Sequence, residues 1–530
     1  MIRGILTVGA WTLLSRLLGF ARDILIAALL GAGPVADAFF VALKLPNLFR
    51  RLFGEGAFNA AFMPAFAGLL AVEGRDVARR FAEEAFAVMV FWLGLLTILG
   101  ELFMPQVMTV LAPGFAAVPA KFALAVELSR ITFPYLILIC LAALVSGVLN
   151  GLDRFTAASA SYVLFNVVSI AAMLWLTPYV PTVGHALAWG VTASGVAQLG
   201  VLLVAVRRAG MALRVPLPRM TPQMRLLMRR MAPGLLGAGV TQLNLAVDVI
   251  IASLLPAGTV SILYYADRVQ QLPLGVIGTA VGTALLPSLS RQVRAGEAEA
   301  SAATLNRALE YALFLTLPAA LALIVSAWPI MFALFDRGAF GAESTRLSSQ
   351  ALAAYAIGLP AFVLVKVLAP GFFARGDTAT PVKIGLVAVA LNLALNLAFM
   401  GPLRQMGPAL ATSVAATFNA ALLGGVLARR GQLRLDPQFR FRVPRMLAAA
   451  LVMAAVLAGA QHVLFGAAMP RGTLRLAALA ALIAAGLAAY IGAGHVLGGY
   501  DLRDVPRMLR RRALPRAGRS AITPPSAPLS

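Results

Sequence analysis

Residues 21–33 read ARDILIAALLGAG and residues 246–258 read AVDVIIASLLPAG, so eight of these thirteen positions are identical at an offset of 225 residues. Further matches occur at offsets of 223 to 226: Pro64 with Pro287, Pro134 with Pro360, Asn166 with Asn392, and segment 184–188 with 407–411. A fixed period that persists across several apolar segments is the signature of an internal repeat. The pattern therefore predicts two homologous lobes, each repeating the same order of helices.

The composition predicts that these lobes lie in a membrane. Of the 530 residues, 60 % are hydrophobic and only 12 % are charged, whereas a soluble domain carries about a quarter charged residues. This excludes an ordinary soluble enzyme, a disordered chain and a secreted disulfide scaffold. The single cysteine, Cys140, excludes an internal disulfide, and the three histidines are too far apart in sequence to indicate a metal site.

Apolar windows long enough to cross about 30 Å of hydrocarbon predict an all-α polytopic protein with about fourteen transmembrane helices. The windows lie near residues 5–31, 34–55, 81–105, 121–149, 155–178, 183–206, 231–254, 259–290, 305–328, 348–374, 381–400, 406–428, 445–466 and 473–497. The predicted domains are a six-helix lobe over 1–218, a second six-helix lobe over 219–430, two further helices over 431–500, and a basic, disordered tail over 501–530. Six helices is an even number, so the two lobes share one orientation, and a central cavity is expected between them.

The basic residues set the expected orientation. The chain has a net charge of +23, and with residue 1 inside, about 30 Lys and Arg fall in inside loops and the tail, against about five outside. Both termini are therefore expected in the cytoplasm, and the charge excess is mostly topology, which gives no reason to invoke nucleic acid. Segment 207–230, with its stretch Met224–Arg230, is expected to be an interfacial linker helix on the phospholipid membrane.

Charged residues within the spans are concentrated in the first two predicted helices. Each costs about 2.5–3.5 kcal/mol at mid-membrane, so such residues usually face a cavity or a partner. Cations outnumber anions here, and arginine matches phosphate through two parallel hydrogen bonds. With Arg268 supplied by the second lobe, the pattern predicts a cavity for a phosphate-bearing substrate. The alternative is a set of structural pairs, Arg22 with Asp23 or Asp37 and Arg51 with Glu55.

Helix 2 carries its charges on one face. At 100° per residue, Asp37, Lys44, Arg51 and Glu55 form a single stripe, and Pro46 is expected to bend the helix. Arg50 lies off this stripe on a straight helix.

A second polar group lies on three helices of the second lobe: Asp248, Asn392, Asn396 and Thr412. Carboxylate, amide and hydroxyl oxygens suit a small hard cation, so a sodium site is one interpretation. The other is hydrogen bonding between helices.

Several motifs resemble the MurJ (MviN) family of bacterial lipid II flippases in the MOP exporter superfamily. They are residues 15–23 (SRLLGFARD), 37–42 (DAFFVA), 44–51 (KLPNLFRR), 55–58 (EGAF), 264–268 (YYADR), 366–372 (KVLAPGF) and 380–383 (TPVK). The resemblance extends over about residues 1–500.

The resemblance implies fourteen helices, with the last pair forming a groove for a polyprenyl tail and a cationic cavity taking the pyrophosphate-linked head group. The implied substrate-binding residues are the cavity arginines Arg16, Arg22, Arg50 and Arg268, the acidic Asp37 and Glu55, and Ser15, Asn47 and Ser261. The resemblance therefore implies that Arg50 faces the cavity, whereas the stripe on a straight helix contains Arg51. Some members of the family resemble sodium-coupled transporters and have an acidic residue at the position of Asn396. Asn396 is uncharged, so a sodium site here would have one negative charge fewer than in those members.

The expected function is therefore transport of lipid II across the bacterial inner membrane by alternating access, without catalysis and without an obligatory cofactor. Cell-wall synthesis or division proteins are further expected partners. The alternatives are an exporter of another polyprenyl-linked oligosaccharide, a cation-coupled drug exporter, and a membrane glycosyltransferase. A drug exporter would favour acidic and aromatic cavity residues, and a glycosyltransferase would need a carboxylate base, for which Asp37 and Glu55 are the close candidates.

Overall fold

The structure is a computed structural model that describes residues 2–51, 57–466 and 472–498. Side chains are described for these residues except 2–6, 57, 59–60, 233–238, 240–241 and 276–284. The described chain is helical almost throughout, and its β pairing amounts to one isolated bridge between Arg337 and Phe340. This confirms the all-α class, which follows from the need of a chain in hydrocarbon to satisfy its backbone polar groups internally.

Among the described residues, nine α-helices precede the long connection at residue 209. They are α1 (Ile2–Leu30), α2 (Pro34–Phe49), α3 (Ala57–Val72), α4 (Arg75–Leu102), α5 (Met104–Leu111), α6 (Pro119–Thr132), α7 (Tyr135–Gly151), α8 (Phe155–Trp175) and α9 (Val183–Arg208). We refer to residues 2–208 as the N-terminal half.

In the described part of the chain after this connection, eight α-helices form the C-terminal half, and two more follow. They are α10 (Pro222–Leu254), α11 (Thr259–Arg294), α12 (Ala298–Val325), α13 (Ala327–Phe335), α14 (Ala342–Ile357), α15 (Leu359–Phe373), α16 (Ala379–Phe399), α17 (Met406–Arg429), α18 (Pro437–Phe465) and α19 (Leu474–Val496).

Within the described residues, ten segments are long and apolar enough to cross a membrane, so the protein is multi-pass. Two of the ten combine a pair of helices, α6 with α7 and α14 with α15. Each half also contains a long helix followed at once by a short one, α4 with α5 and α12 with α13. This common order is what a duplication produces; the count of fourteen spans, the duplication and the domain boundaries stay predictions.

Several predicted helix boundaries were wrong. Helix α3 lies in a segment that was predicted to connect two spans, and α4 begins at Arg75 rather than near residue 81. Met224–Arg230 is not a separate interfacial helix but the beginning of α10, where the Thr221 hydroxyl accepts a hydrogen bond from Met224 N. A hydropathy window ends at the first charges, whereas helical hydrogen bonding continues past them into the polar interface.

The two halves touch closely at one end, which we call the closed end and which the orientation prediction places outside the cytoplasm. Ala339 N donates to Ala28 O at 2.8 Å, and the Tyr265 hydroxyl donates to Gly31 O at 3.1 Å. Gly338 has φ +57°, and a Cβ there would lie 2.2 Å from Ala28 O. Glycine is required at this position because the two main chains meet.

The C-terminal pair α18 and α19 packs against α12 and α13. The Tyr490 hydroxyl donates to Phe314 O at 2.8 Å. Near the start of α18, the buried Glu310 carboxylate of α12 pairs with Arg307 and Arg442. The predicted tail, 501–530, lies outside the described residues.

Candidate functional site: a basic cavity between the halves

Two connected cavities open between the halves. The smaller, about 170 Å³, is bounded by α2, α10 and α11. The larger, about 750 Å³, extends into the C-terminal half, and both are lined by Phe40, Lys44, Arg51 and Tyr264. Together their lining residues include five cations and two carboxylates: Lys44, Arg50, Arg51, Arg268, Lys366, Asp248 and Asp267. This positive surplus suits an anionic ligand.

Two predicted arginines, one from each half, converge on one carboxylate. Arg22 Nη2 lies 2.8 Å from Asp23 Oδ1, and Arg268 Nε lies 3.2 Å from Asp23 Oδ2. The Tyr264 hydroxyl accepts hydrogen bonds from Arg268 Nε and Nη2 at 3.0 and 2.8 Å. The pairing of Arg22 with Asp23, one of the two that the structural alternative allowed, is therefore present, and Arg268 completes a three-residue bridge across the halves.

Asp23 is almost fully buried, whereas the Arg268 side chain keeps 35 % of its surface exposed. Two guanidinium groups share one carboxylate, which leaves one positive charge uncompensated within the bridge. Tyr264 stacks on Phe40 with ring centroids 3.8 Å apart. The aromatic pair fixes the position of the arginine at the wall of the cavity.

Arg50 and Arg51, which directly follow helix α2, both line the smaller cavity. The backbone adopts π-helical geometry at residues 50 and 51, one turn after Pro46, and such local widening commonly marks a functional site. Asn47 Oδ1 accepts a hydrogen bond from Arg50 Nε at 3.1 Å. Because both arginines line this cavity, the apparent choice between Arg50 and Arg51 disappears, and the bend expected at Pro46 stays a prediction.

Arg16 and Ser15 lie on α1, away from the bridge around Asp23. Arg16 is exposed, and its guanidinium approaches Gly275 of α11 in the other half. Ser15 O accepts a hydrogen bond from Asn166 Nδ2 at 3.1 Å. Glu55, the remaining predicted acidic residue, lies outside the described residues.

Asp37 and Ser261 are brought together at the closed end, where Asp37 is 1 % exposed. Its carboxylate accepts from Gly258 N at 2.7 Å and from Ser261 N and Oγ at 2.9 Å. Gly258 is the residue that caps α11, so a carboxylate of one half caps a helix of the other.

Lys121 is the functional candidate that sequence reasoning missed at this end. The predicted window 121–149 begins at Lys121, and the orientation count takes this lysine as one of the five outside cations, but it lies in α6 and is buried, with Nζ 2.7 Å from Asp37 Oδ2 and 4.0 Å from the Phe115 ring centroid. Lys366, the first residue of the motif 366–372, lines the larger cavity. The signal for Lys121 was weak because its partner is 84 residues away.

The second polar group is also assembled. Asn392 Nδ2 donates to Asp248 Oδ1 and to Asn244 Oδ1, both at 2.9 Å, and the Thr412 hydroxyl donates to Asp248 Oδ1 at 3.2 Å. Asn396 Nδ2 donates to Asn392 Oδ1 at 3.1 Å, while its own buried Oδ1 has no partner among the described residues. Both earlier interpretations, interhelical hydrogen bonding and a cation site, are compatible with this geometry.

Within the described part of the chain, no cluster of three or more His, Cys, Asp or Glu could hold a metal ion. The cavities are lined by cations and aromatic rings, and Arg268 at their wall is held by the Asp23 carboxylate. Such a site can bind and orient an anionic group without covalent chemistry.

Comparison with known proteins gives one family. The model of the family described as lipid II flippase MurJ matches residues 26–472. A probable lipid II flippase MurJ of Rhizobium meliloti is 46 % identical over 520 residues, which cover 97 % of each chain. A lipid II flippase MurJ of Burkholderia cenocepacia is 37 % identical over 464 residues, covering 86 % of this chain and 89 % of that protein.

Solved structures give the same architecture. A lipid II flippase MurJ in an inward closed conformation superposes with a TM-score of 0.77 at 24 % identity, covering 94 % of this chain and 99 % of the other. An inward-facing multidrug resistance MATE transporter of the MOP superfamily has a TM-score of 0.66 at 15 % identity, covering 79 % and 94 %. At these identities the likeness shows the fold alone.

Proposed function

The chain belongs to the MurJ family of lipid II flippases, which are transporters and not enzymes, and from this membership we propose that it moves lipid II from the inner to the outer leaflet of the bacterial cytoplasmic membrane. The head group of lipid II carries a pyrophosphate. The observation that carries the proposal is the bridge in which Arg22 and Arg268, from different halves, share the Asp23 carboxylate beside a cavity lined by further cations.

The pyrophosphate binds to the surplus positive charge of this bridge. Arginine can bind two phosphate oxygens at once through its planar fork, and Arg50, Arg51 and Lys44 extend the basic wall along the neighbouring cavity. The predicted binding residues Arg16, Ser15 and Asn47 extend the site along α1 and α2. The polyprenyl tail stays in lipid, along the groove expected at α18 and α19.

Movement follows an alternating-access cycle. The contacts of the closed end hold the halves together while the cavity is loaded from the cytoplasm, and a rocking motion then separates them. Because the head group is anionic and the cytoplasm is electrically negative, the membrane potential favours outward transport, by about 2.3 kcal/mol per charge per 100 mV.

Sodium coupling is a second part of the proposal. Asp248, Asn392, Asn396 and Thr412 surround one carboxylate with amide and hydroxyl groups, and the unpartnered Asn396 Oδ1 is an oxygen available to a cation. Sodium prefers oxygen ligands, as other hard cations do. Cell-wall synthesis and division proteins remain the expected partners of such a transporter.

Two other transport functions compete with lipid II. The MATE-like fold allows a cation-coupled drug exporter or an exporter of a different polyprenyl-linked oligosaccharide. A positive cavity disfavours the cationic drugs that an acidic cavity would bind, whereas it does not separate one polyprenyl diphosphate from another.

The decisive experiment measures lipid II sidedness in cells depleted of their native flippase. Arg268→Ala and Arg22→Ala are expected to lower the translocated fraction by at least about tenfold, because each removes a charge-assisted hydrogen bond to the diphosphate. Arg268→Lys keeps the charge but loses the planar fork, so partial activity is expected.

The matched control is Arg346→Ala, which removes an exposed arginine paired with Glu343 and far from the cavity. It should translocate lipid II like the unaltered chain. Normal translocation by both cavity variants, at equal expression, contradicts the proposed phosphate site.

A further inference from the structure

A groove on the outer surface of the N-terminal half is separate from the transport cavity. Its volume is about 710 Å³, and it lies among α5, α6 and α9 near the closed end of the molecule. This size falls in the range of about 300–1,000 Å³ that is usual for small-molecule sites. None of its lining residues lines either of the two cavities between the halves.

The floor of the groove is apolar and its edge is charged. Phe122, Ile131 and Trp189 contribute to the apolar lining, and Glu127 and Arg130 stand one helical turn apart on α6. Trp189 is 50 % exposed, and tryptophan at a membrane surface typically lies at the level of the lipid head groups. The groove therefore combines an apolar lining with a pair of opposite charges at its edge.

Glu127 and Arg130 at this edge do not neutralise each other through an ion pair. Arg130 Nε donates to Glu101 O at 3.3 Å, and its two terminal nitrogens have no hydrogen-bond partner among the described residues. Glu127 has 60 % of its side chain exposed. A cation and an anion thus remain available side by side.

A buried histidine lies beside the pair. His185 is 5 % exposed, and its Nδ1 is 2.9 Å from the Thr182 hydroxyl. His185 Nε2 lies 3.2 Å from Glu127 Oε1, but the geometry is too poor for a hydrogen bond, so this nitrogen has no hydrogen-bond partner. A buried polar atom on the wall of an open groove is satisfied most simply by a polar ligand group.

We propose that this groove binds a phospholipid of the outer leaflet whose head group carries a primary ammonium, as in phosphatidylethanolamine. The phosphate contacts the Arg130 guanidinium and the ammonium contacts Glu127, while the upper acyl segments cover Phe122, Ile131 and Trp189. Arg–phosphate contacts are strong and directional. A primary ammonium donates hydrogen bonds to Glu127, which a trimethylated choline cannot do, and a glycerol head group has no positive charge for Glu127 at all.

The test is native mass spectrometry of the purified full-length chain titrated with dioleoyl phosphatidylethanolamine, phosphatidylcholine or phosphatidylglycerol. The unaltered chain is expected to bind the ethanolamine lipid most tightly. Arg130→Ala should weaken its binding by about tenfold, because a charge-assisted hydrogen bond to phosphate is lost. Glu127→Gln should remove the preference over the glycerol lipid, and Ala123→Trp should block the groove without changing any charge.

Glu343→Gln and Arg346→Ala are the matched controls, because this second pair is also three residues apart on a helix but is closed on itself by a 2.7 Å ion pair. Both should bind lipid like the unaltered chain. Equal binding of all three lipids, or unchanged binding by Arg130→Ala and Ala123→Trp, overturns the proposal. So does a photocrosslinker at residue 123 that captures a protein in cells in place of a phospholipid.

Discussion

At the scale of single residues, Asp37 joins helices of both halves at the closed end. It joins α2 to α6 through Lys121 and to the beginning of α11 through three hydrogen-bond donors. Buried ions are tolerated only when every lone pair and proton is satisfied. The same residue is a predicted substrate contact, and in the closed arrangement its oxygens are already occupied.

Lys121→Met should lower the free energy of unfolding by about 3 kcal/mol, because removing one partner leaves the other charge buried without compensation. The measurement is chemical denaturation in detergent micelles. The double variant Asp37→Asn/Lys121→Met should recover at least about 1 kcal/mol of this loss, because neither charge remains. A double variant no more stable than Lys121→Met alone contradicts the pairing.

At the scale of elements, the closed end depends on short approaches between main chains. Gly114, in the connection between α5 and α6, lies against the end of α10, and a Cβ there would be 2.1 Å from Ser253 O. Gly114→Ala must therefore push the two halves apart, at a cost of about 1–3 kcal/mol.

Gly68→Ala is the control for this change, because a Cβ at that position on α3 meets nothing within 4 Å. Its thermal midpoint should stay the same or rise slightly, since alanine favours helix by up to about 1 kcal/mol. Equal midpoints for the Gly114 variant and the unaltered chain would show that the approach of Gly114 to α10 is looser than described.

The connection between α15 and α16 is fastened to the end of α17. Asp377 Oδ2 lies 2.7 Å from Arg430 Nη1, and Thr380 donates to the same carboxylate through its amide and hydroxyl. The Arg430 hydrogen bond, with those of Thr380, lowers the pKa of Asp377 from 3.8 to about 2. A lowered pKa means that this stabilisation is complete above about pH 4 and disappears as the pH falls towards 2.

Asp377→Asn should therefore reduce the thermal midpoint by the same amount from pH 8 to pH 5. The difference from the unaltered chain should shrink between about pH 4 and pH 2. A difference that changes between pH 8 and pH 5 would assign the effect to another titrating group.

At the scale of the whole molecule, coupling to an ion or to the membrane potential is a property of the complete cycle. If sodium drives transport, lipid II translocation in inverted vesicles should fall at least about tenfold when sodium is replaced by potassium at constant ionic strength. Asn396→Asp, which adds a second carboxylate beside Asp248, should increase the sodium dependence. Equal rates in both salts at a fixed potential reject the sodium site.

The all-helical class and the membrane setting followed from composition and local pattern, because these depend on residues close in sequence. The pairing of Lys121 with Asp37 and the convergence of Arg268 on Asp23 could not be predicted, because each joins helices distant in sequence. Hydropathy likewise missed α3 and the polar beginnings of α4 and α10. The helices are longer than the apolar windows from which they were predicted.

The contact of main chain with main chain at the closed end has a consequence for the energetics of the cell. Ala28, Gly31, Gly338 and Ala339 meet through backbone atoms and carbonyl oxygens, with almost no side chain between them. Rotation of a single side chain cannot open a barrier of this kind, because the helices that carry the two main chains must separate. If the proposed alternating access holds, we expect this end to seal the cavity against ions and protons while the head group is loaded from the cytoplasm, so that the membrane keeps its electrochemical gradient.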